Sequence, residues 1–174
     1  EELMGYVKAI LGLNKKCIVL DLDNTLWGGI VGEDGFEGIK LGDDPVGRAY
    51  AEFQHNLLAL NQRGILLAIN SKNNFDDAMQ IIKEHPNMVL KEDNFTCIRI
   101  NWNDKAVNMK EISDELNIGL DSMVFVDDDP VNREYVKSNL PEIQTVEISD
   151  PSNSSKILKS MNDFQVLKIT DEDT

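Results

Sequence analysis

Histidine and cysteine are scarce in this sequence, with two residues of each. Neither His55 nor His85 stands at a spacing that builds a metal site, so both read as surface or packing residues. Cys17 and Cys97 lie in apolar, strand-like runs. They read as buried thiols of a reducing cytoplasm rather than as a disulfide. Positive charge is also short. The 17 Lys and Arg stand against 31 Asp and Glu, a formal net charge of -14. That balance excludes nucleic acid and anionic membrane as expected partners, and an anionic substrate needs local cations to offset the field. No apolar run is long enough to span a bilayer and no signal peptide is visible. With 174 residues, 41% of them hydrophobic, the chain can bury one real core. No repeat, low-complexity tract or second domain interrupts it, so residues 1–174 read as a single domain. The chain opens on Glu1 rather than Met, which fits a segment excised from a longer polypeptide.

What is present is concentrated in one stretch, Cys17-Ile18-Val19-Leu20-Asp21-Leu22-Asp23-Asn24-Thr25. Ile18-Val19-Leu20 reads as a strand buried on both faces, as in the middle of a parallel sheet. Asp21 and Asp23 follow two residues apart, so extended backbone points their side chains the same way. Two acids at the C-terminal end of a buried strand are costly unless something binds there. In open parallel sheets ligands sit at that end, and a divalent metal with a phosphate suits it.

The rest of the chain repeats the arrangement. Leu3, Met4, Val7, Ile10 and Leu11 predict a short amphipathic helix before the first strand. The glycines of residues 27–35 rule out a stable helix on this reading and suit a hairpin or flap beside the sheet end. Trp27 either closes over a ligand or packs under that flap; packing is the more usual role. Asp44-Pro45 is a cap followed by proline at the first helical position. Tyr50, Phe53, Leu57 and Leu60 mark the face of the helix it starts, and Gly64 ends it. Asp129-Pro130 and Asp150-Pro151 repeat the signal. Further strands are expected at 65–69, 95–100, 123–126 and, as an edge, 143–148. Between them come helices through Asp76 to Ile82, and through Val107, Ile112 and Leu116 to a stop at Gly119. A last helix carries Ile157, Leu158 and Met161. Strand and helix alternate, so the expected fold is a doubly wound, Rossmann-like parallel sheet of five strands.

Successive strands then deliver polar residues at one edge: Asp21 and Asp23, Ser71, Asp127 and Asp128, with Lys105 after another. Each role follows from chemical need. Mg²⁺ takes one or two protein carboxylates plus substrate phosphate. Asp21 and Asp127 suit it, with Asp128 acting through water or by positioning. Asp21 is the candidate nucleophile for an aspartyl-phosphate. Asp23 is placed to protonate the leaving oxygen and then activate water. Ser71 and Lys105 offer a hydroxyl and a cation to the transferring phosphoryl group. The amides after Thr25 complete the cradle.

These residues carry a resemblance. Asp21-Leu22-Asp23-Asn24-Thr25, Ser71, Lys105 and Asp127-Asp128 resemble the four ordered motifs of the haloacid dehalogenase superfamily, across most of the chain. The resemblance implies Mg²⁺-dependent phosphoryl transfer through an aspartyl-phosphate, with the main-chain carbonyl of Asp23 as a further metal ligand. The interval between Thr25 and Ser71 leaves room for a flap but not for a large cap domain, so the site stays open to a large partner. The run from Leu20 to Gly29, Gly32-Glu33-Asp34-Gly35, Ser71-Lys72-Asn73, Asn101-Trp102-Asn103-Asp104-Lys105 and Val126-Asp127-Asp128 are similar to the FkbH-like family. That similarity implies removal of phosphate from 1,3-bisphosphoglycerate. It also implies transfer of the glyceryl unit to an acyl carrier protein for polyketide biosynthesis.

On this reading Asn24, Thr25, Trp27 and Gly28 line the substrate side of the pocket. So do Asn70, Lys72 and Asn73. Relatives carry an acceptor cysteine immediately before the Ser-Lys-Asn triplet, where this chain has Asn70. Cys17 lies about 13 Å down an extended strand from Asp21. No acyl-enzyme thioester is therefore expected. Asn70 is then an engineered change, a natural variant passing acyl directly to the carrier thiol, or a mark of altered substrate. Acyl carrier proteins are themselves acidic, so Lys72, Arg48 or Arg133 would have to make the contact. Two alternatives stand beside this reading. One is a free-standing Mg²⁺-dependent phosphatase acting on a phosphoprotein or small phosphate ester. The other is a docking module without turnover.

Overall fold

The computed structural model describes residues 15–147. The helix expected within residues 1–14, the one at 157–161 and the acidic tail lie outside them. The first described strand, β1 (Cys17–Leu20), is buried at every position. It sits at the middle of a five-stranded sheet in the order β3-β2-β1-β4-β5, with β2 (Leu66–Lys72), β3 (Phe95–Asn101), β4 (Met123–Asp127) and β5 (Gln144–Glu147). Every pairing is parallel. The fold is the doubly wound α/β sheet that alternation predicts. The chain leaves β1 for β2 and β3 on one side and returns to β4 and β5 on the other. The order therefore reverses between β1 and β4, where a crevice opens beyond the strand ends.

Side-chain alternation divides the core between the two faces of the sheet. Ile18, Leu20, Leu67, Ile69, Val124 and Val126 pack on one face with Phe53, Leu57 and Leu60 of α2 (Pro45–Gln62) and with Ile81 and Ile82 of α3 (Phe75–Glu84). Cys17, Val19, Ala68, Cys97 and Phe125 face the other way. They meet Met109 and Ile112 of α4 (Lys105–Leu116) and Val136 of α5 (Pro130–Asn139). Asp44 caps α2, its side chain accepting the Gly47 N–H at 2.8 Å. Asp129 caps α5 by accepting the Val131 N–H at 2.9 Å.

Three local expectations need correction. The flap contains a helix, α1 (Val31–Gly38). The Ile30 carbonyl accepts the N–H groups of Glu33 and Asp34, and the Asp34 carboxylate takes the N–H of Ile30. The glycines do not prevent helical turns. Gly35, at φ 74°, interrupts them. Gly28 and Lys40 exchange backbone hydrogen bonds at 2.9 and 2.7 Å and close the base of the flap. A Cβ on Gly28 would come within 2.9 Å of the Tyr50 ring, so the closure needs glycine. Second, α4 stops at Asn117 rather than Gly119. Asn117 adopts the left-handed conformation at φ 56°, which a short polar side chain tolerates. Third, Val107 is 49% exposed, and the inner face of α4 is made by Ala106, Asn108, Met109 and Ile112. The edge strand runs Gln144–Glu147, and Ile148 lies outside the described residues. Between β1 and β2 the chain holds only the flap and α2, so no large cap is inserted there.

Candidate active site

Asp21 and Asp127 stand at the ends of neighbouring strands, on either side of the point where strand order reverses. The Asp21 N–H continues the ladder onto the Val126 carbonyl at 3.0 Å. Asp21, Asp127 and Asp128 each offer an oxygen lying within 4.8 Å of the other two. Lys105, the first residue of α4, lies between the acids. Its Nζ is 2.7 Å from Asp127 Oδ2 and 3.3 Å from Asp21 Oδ1, with the Phe125 ring centroid at 5.5 Å. Asp127 also accepts from the Asp129 N–H at 2.9 Å and from Asn132 Nδ2 at 3.2 Å.

Burial dominates the electrostatics of this cluster. It pushes Asp21 up to about 7, against the pull of Lys105 and with the help of Asp127. Burial and the neighbouring Asp127 push Asp128 up to about 6. Burial alone would depress Lys105, but Asp21 and Asp127 outweigh it and the net shift is upward. Three carboxylates around one ammonium leave excess negative charge in a poorly solvated place.

Asp23 is elsewhere in chemical terms. The strand ends at Leu20, so the rule that sets residues two apart on one face no longer applies. The Asp23 carboxylate does not join Asp21 at Lys105. It accepts from Trp27 Nε1 at 3.0 Å, the Val31 N–H at 3.1 Å and Asn73 Nδ2 at 3.0 Å. Burial still holds its acidity weaker than that of a free carboxyl, although these donors oppose the shift.

Ser71 is buried at the end of β2, and Lys72 beside it is exposed. Trp27 is 0% exposed. It packs under the flap and cannot close over a ligand. Gly28 is buried in the flap closure, and Asn24 holds the turn with its side chain accepting the Gly29 N–H at 2.8 Å. Thr25 is fully buried, and its Oγ1 has no hydrogen-bond partner among the described residues. Most of the amides expected to cradle phosphate are already engaged. Those of Thr25 and Leu26 donate to the Leu22 carbonyl, that of Gly28 to Lys40 and that of Gly29 to Asn24.

Asn70 also departs from expectation. Its side chain is 0% exposed and is engaged with α4. Nδ2 donates to the Lys105 carbonyl at 3.0 Å and Oδ1 accepts from Asn108 Nδ2 at 3.3 Å. Asn108 reaches Asn101 Oδ1 at 2.8 Å. Asn70 thus faces α4, while the next residue, Ser71, faces the other side. Asn108 was missed, and Asn132 was given no role. A polar residue on the inner, apolar face of a helix was the available signal for Asn108. Arg133 sends its guanidinium to the Asp127 carbonyl at 2.8 Å, and Arg48 reaches the Asp43 carbonyl at 3.1 Å. His85 accepts the Asn87 N–H and packs on Phe36, and His55 is exposed.

Comparison with known proteins agrees with this geometry. Residues 16–169 match the family model of NLI interacting factor-like phosphatases. Among solved structures, the chain is 44% identical to the N-terminal part of BF1531 from Bacteroides fragilis, described as containing a phosphatase domain complexed with Mg. The TM-score is 0.82, and the match covers 90% of this chain but 42% of the other. A haloacid-dehalogenase-family enzyme from Bacteroides thetaiotaomicron, solved with magnesium and inorganic phosphate, shares 15% identity over 78% of this chain and 95% of its own, at TM-score 0.54. The 3-deoxy-D-manno-octulosonate 8-phosphate phosphatase of Moraxella catarrhalis shares 21% over 97% of both chains, at 0.52. These last two show the fold. Among curated proteins none matches. No helix among the described residues is long and apolar enough to cross a membrane.

Proposed function

Since the chain belongs to the NLI interacting factor-like phosphatase family, we propose that it is a Mg²⁺-dependent phosphatase of haloacid dehalogenase type with Asp21 as nucleophile. The observation that carries the reading is the convergence of Asp21, Asp127 and Asp128 beside Lys105. The donor set is all oxygen and carries excess negative charge, which suits a hard divalent cation. Asp21, Asp127 and Asp128 would hold Mg²⁺, which when bound supplies charge neutralisation at the phosphoryl oxygens. The 44% identical Bacteroides fragilis domain, solved with Mg, supports that assignment.

The residues divide the work. An Asp21 oxygen bonds to phosphorus as the bond to the leaving oxygen breaks, and that oxygen takes a proton from Asp23. Water then bonds to phosphorus as the Asp21 bond breaks, and Asp23 takes the water proton. Lys105 holds Asp21 in place and offsets charge around the transferring group. The Ser71 hydroxyl is available to a phosphoryl oxygen.

Beside this chemistry we infer 1,3-bisphosphoglycerate as donor and an acyl carrier protein as acceptor, with Asp21 acting on the phosphate ester and not on the acyl phosphate. Support comes from the run from Leu20 to Gly29 together with Asn101-Trp102-Asn103-Asp104-Lys105. The lack of a large cap between β1 and β2 favours a protein partner. Asn70 offers no thiol and both cysteines are buried, so the carrier thiolate would bond directly to the acyl carbon as the bond to the acyl phosphate oxygen breaks and inorganic phosphate leaves. The test measures phosphate release from 1,3-bisphosphoglycerate with and without carrier protein, and the carrier's intact mass. A carrier that gains a glyceryl unit supports transfer. Phosphate release with an unchanged carrier leaves the plain phosphatase. An Asp21→Asn variant with wild-type turnover overturns the whole reading.

A further inference from the structure

The Asp23 carboxylate is held on both oxygens. Oδ1 accepts from Trp27 Nε1 at 3.0 Å and from the Val31 N–H at 3.1 Å, whereas Oδ2 accepts only from Asn73 Nδ2, at 3.0 Å, among the described residues. Each carboxylate oxygen has two in-plane lone pairs, so Oδ1 is filled and Oδ2 keeps one lone pair available. The orientation of the Asn73 amide is fixed by its own Oδ1, which accepts the Asn74 N–H at 3.1 Å. Trp27 and Asn73 are 0% and 4% exposed. Neither offers a surface to a substrate, and packing locks both side chains. The donors come from two unrelated places, the flap and the turn after β2, so Asp23 is tied down from both sides.

We propose that Trp27 and Asn73 are positioning residues that clamp the Asp23 carboxyl so that Oδ2 carries the proton exchanged with the leaving group. The proposal rests on the reading of Asp21 as nucleophile. As the Asp21–phosphorus bond forms and the bond to the leaving oxygen breaks, the Oδ2 proton moves to the departing oxygen. When water displaces Asp21 from phosphorus, its proton returns to Oδ2. Trp27 and Asn73 touch neither phosphorus nor leaving group. They decide where the proton is presented, and a displaced acid loses its reach to the leaving oxygen.

A leaving-group comparison separates this role from plain structural support. Nitrophenolate departs without a proton, whereas an alkoxide needs one. The experiment measures turnover of p-nitrophenyl phosphate and of glycerol phosphate on the same sample, for wild type, Trp27→Phe, Asn73→Ala and the double variant. Trp27→Phe keeps an aromatic ring in the core and removes the N–H. Partial unfolding lowers both rates alike, so the ratio is independent of how much protein is folded. General acid catalysis contributes about 10²–10⁴-fold, so each single variant should lower the alkyl-to-aryl ratio by at least about tenfold. The double variant should approach the ratio of Asp23→Asn. A ratio within about twofold of wild type in both single variants, with the two rates falling together, would overturn the clamp. So would an Asp23→Asn variant whose ratio does not fall. The aspartyl-phosphate reading fails separately, through turnover that survives Asp21→Asn.

Discussion

Asp21 and Asp23 stand two residues apart and meet opposite environments. Asp21 joins Asp127 and Asp128 around the Lys105 ammonium, where charge is unbalanced. Among the described residues Asp23 meets only neutral donors, from an indole, a backbone amide and a side-chain amide. The first arrangement is incomplete without a further cation. The second is held by neutral donors alone and keeps one Oδ2 lone pair available. The comparison teaches that one fold can gather unfavourable charge in the place proposed to bind metal and phosphate. A few residues away it can hold a carboxyl with neutral donors and leave one lone pair of it open. It also sorts the consequences of mutation, from loss of chemistry to changes of sign in stability.

Removing the nucleophile should have the largest effect. Asp21→Asn should lower turnover by more than about 10⁴-fold and still give a cooperative melt. Steady-state phosphate release and circular dichroism check both parts. Lys105→Ala should come next. It leaves the carboxylates of Asp21 and Asp127 buried without their cation, at a cost of about 3–5 kcal/mol to the metal-free protein. Most activity should go with it. Lys110→Ala, at an exposed position of the same helix, should stay within about 0.5 kcal/mol of wild type. Equal small losses at both positions would reduce Lys105 to a residue that merely starts α4.

The sign of a stability change sharpens the contrast further. Asp128→Asn removes one charge from a repelling cluster, so the metal-free protein should melt higher and gain less from added Mg²⁺. Asp23→Asn turns one acceptor into a donor facing Trp27, Val31 or Asn73, and should cost about 1–3 kcal/mol. If both variants shift the melting temperature the same way, the two environments are not the opposites the geometry makes them. The pH dependence follows from the same contrast. Asp21 and Asp128 are raised to about 7 and about 6, above their unfolded values. The folded state therefore favours their neutral forms. Their contribution is full below the ordinary carboxylate range and is lost as pH rises through about 6 to 7. Without metal, thermal stability should fall over that interval. With saturating Mg²⁺ the fall should vanish, because binding is tightest to the ionised acids.

The arrangement of the strands was legible because the apolar runs ending in Asp21, Ser71 and Asp127 are short, continuous and separated by helix signals. Parallel pairing brings such run ends to one edge. The orientation of Asp23 was not legible. The period of two holds only while the backbone stays extended, and β1 ends before Asp21. Asn70 shows the opposite failure. It lies inside β2, so alternation with Ser71 already assigned it to the other face, towards α4. Position at a strand end suggested the pocket, and period should have outweighed position. The flap helix escaped because glycine content argues against helix propensity but says nothing of the Asp34 side chain that takes the Ile30 N–H.

The smallest expected effect is no adduct at all, and it concerns the two thiols far from either carboxylate site in chemical character. Cys17 starts β1, at the end of the strand opposite Asp21. Burial, with Cys97 nearby, pushes it up to about 12. Cys97 is pushed up to about 11, chiefly by burial, although Arg99 opposes the shift. The thiolate is the nucleophile, and at neutral pH neither residue supplies an appreciable fraction of it. Incubation with 1,3-bisphosphoglycerate should therefore leave no hydroxylamine-sensitive mass on the protein, and iodoacetamide should label neither thiol until the chain is unfolded. Asn70→Cys tests the site from the other direction. That side chain is buried against the Lys105 carbonyl and Asn108, so a thiol there should acylate only if the first turn of α4 moves aside. Labelling of Cys17 or Cys97 in the native protein would show that the strands open far enough to expose them. A glyceryl mass mapped to either would place the acceptor thiol inside the core.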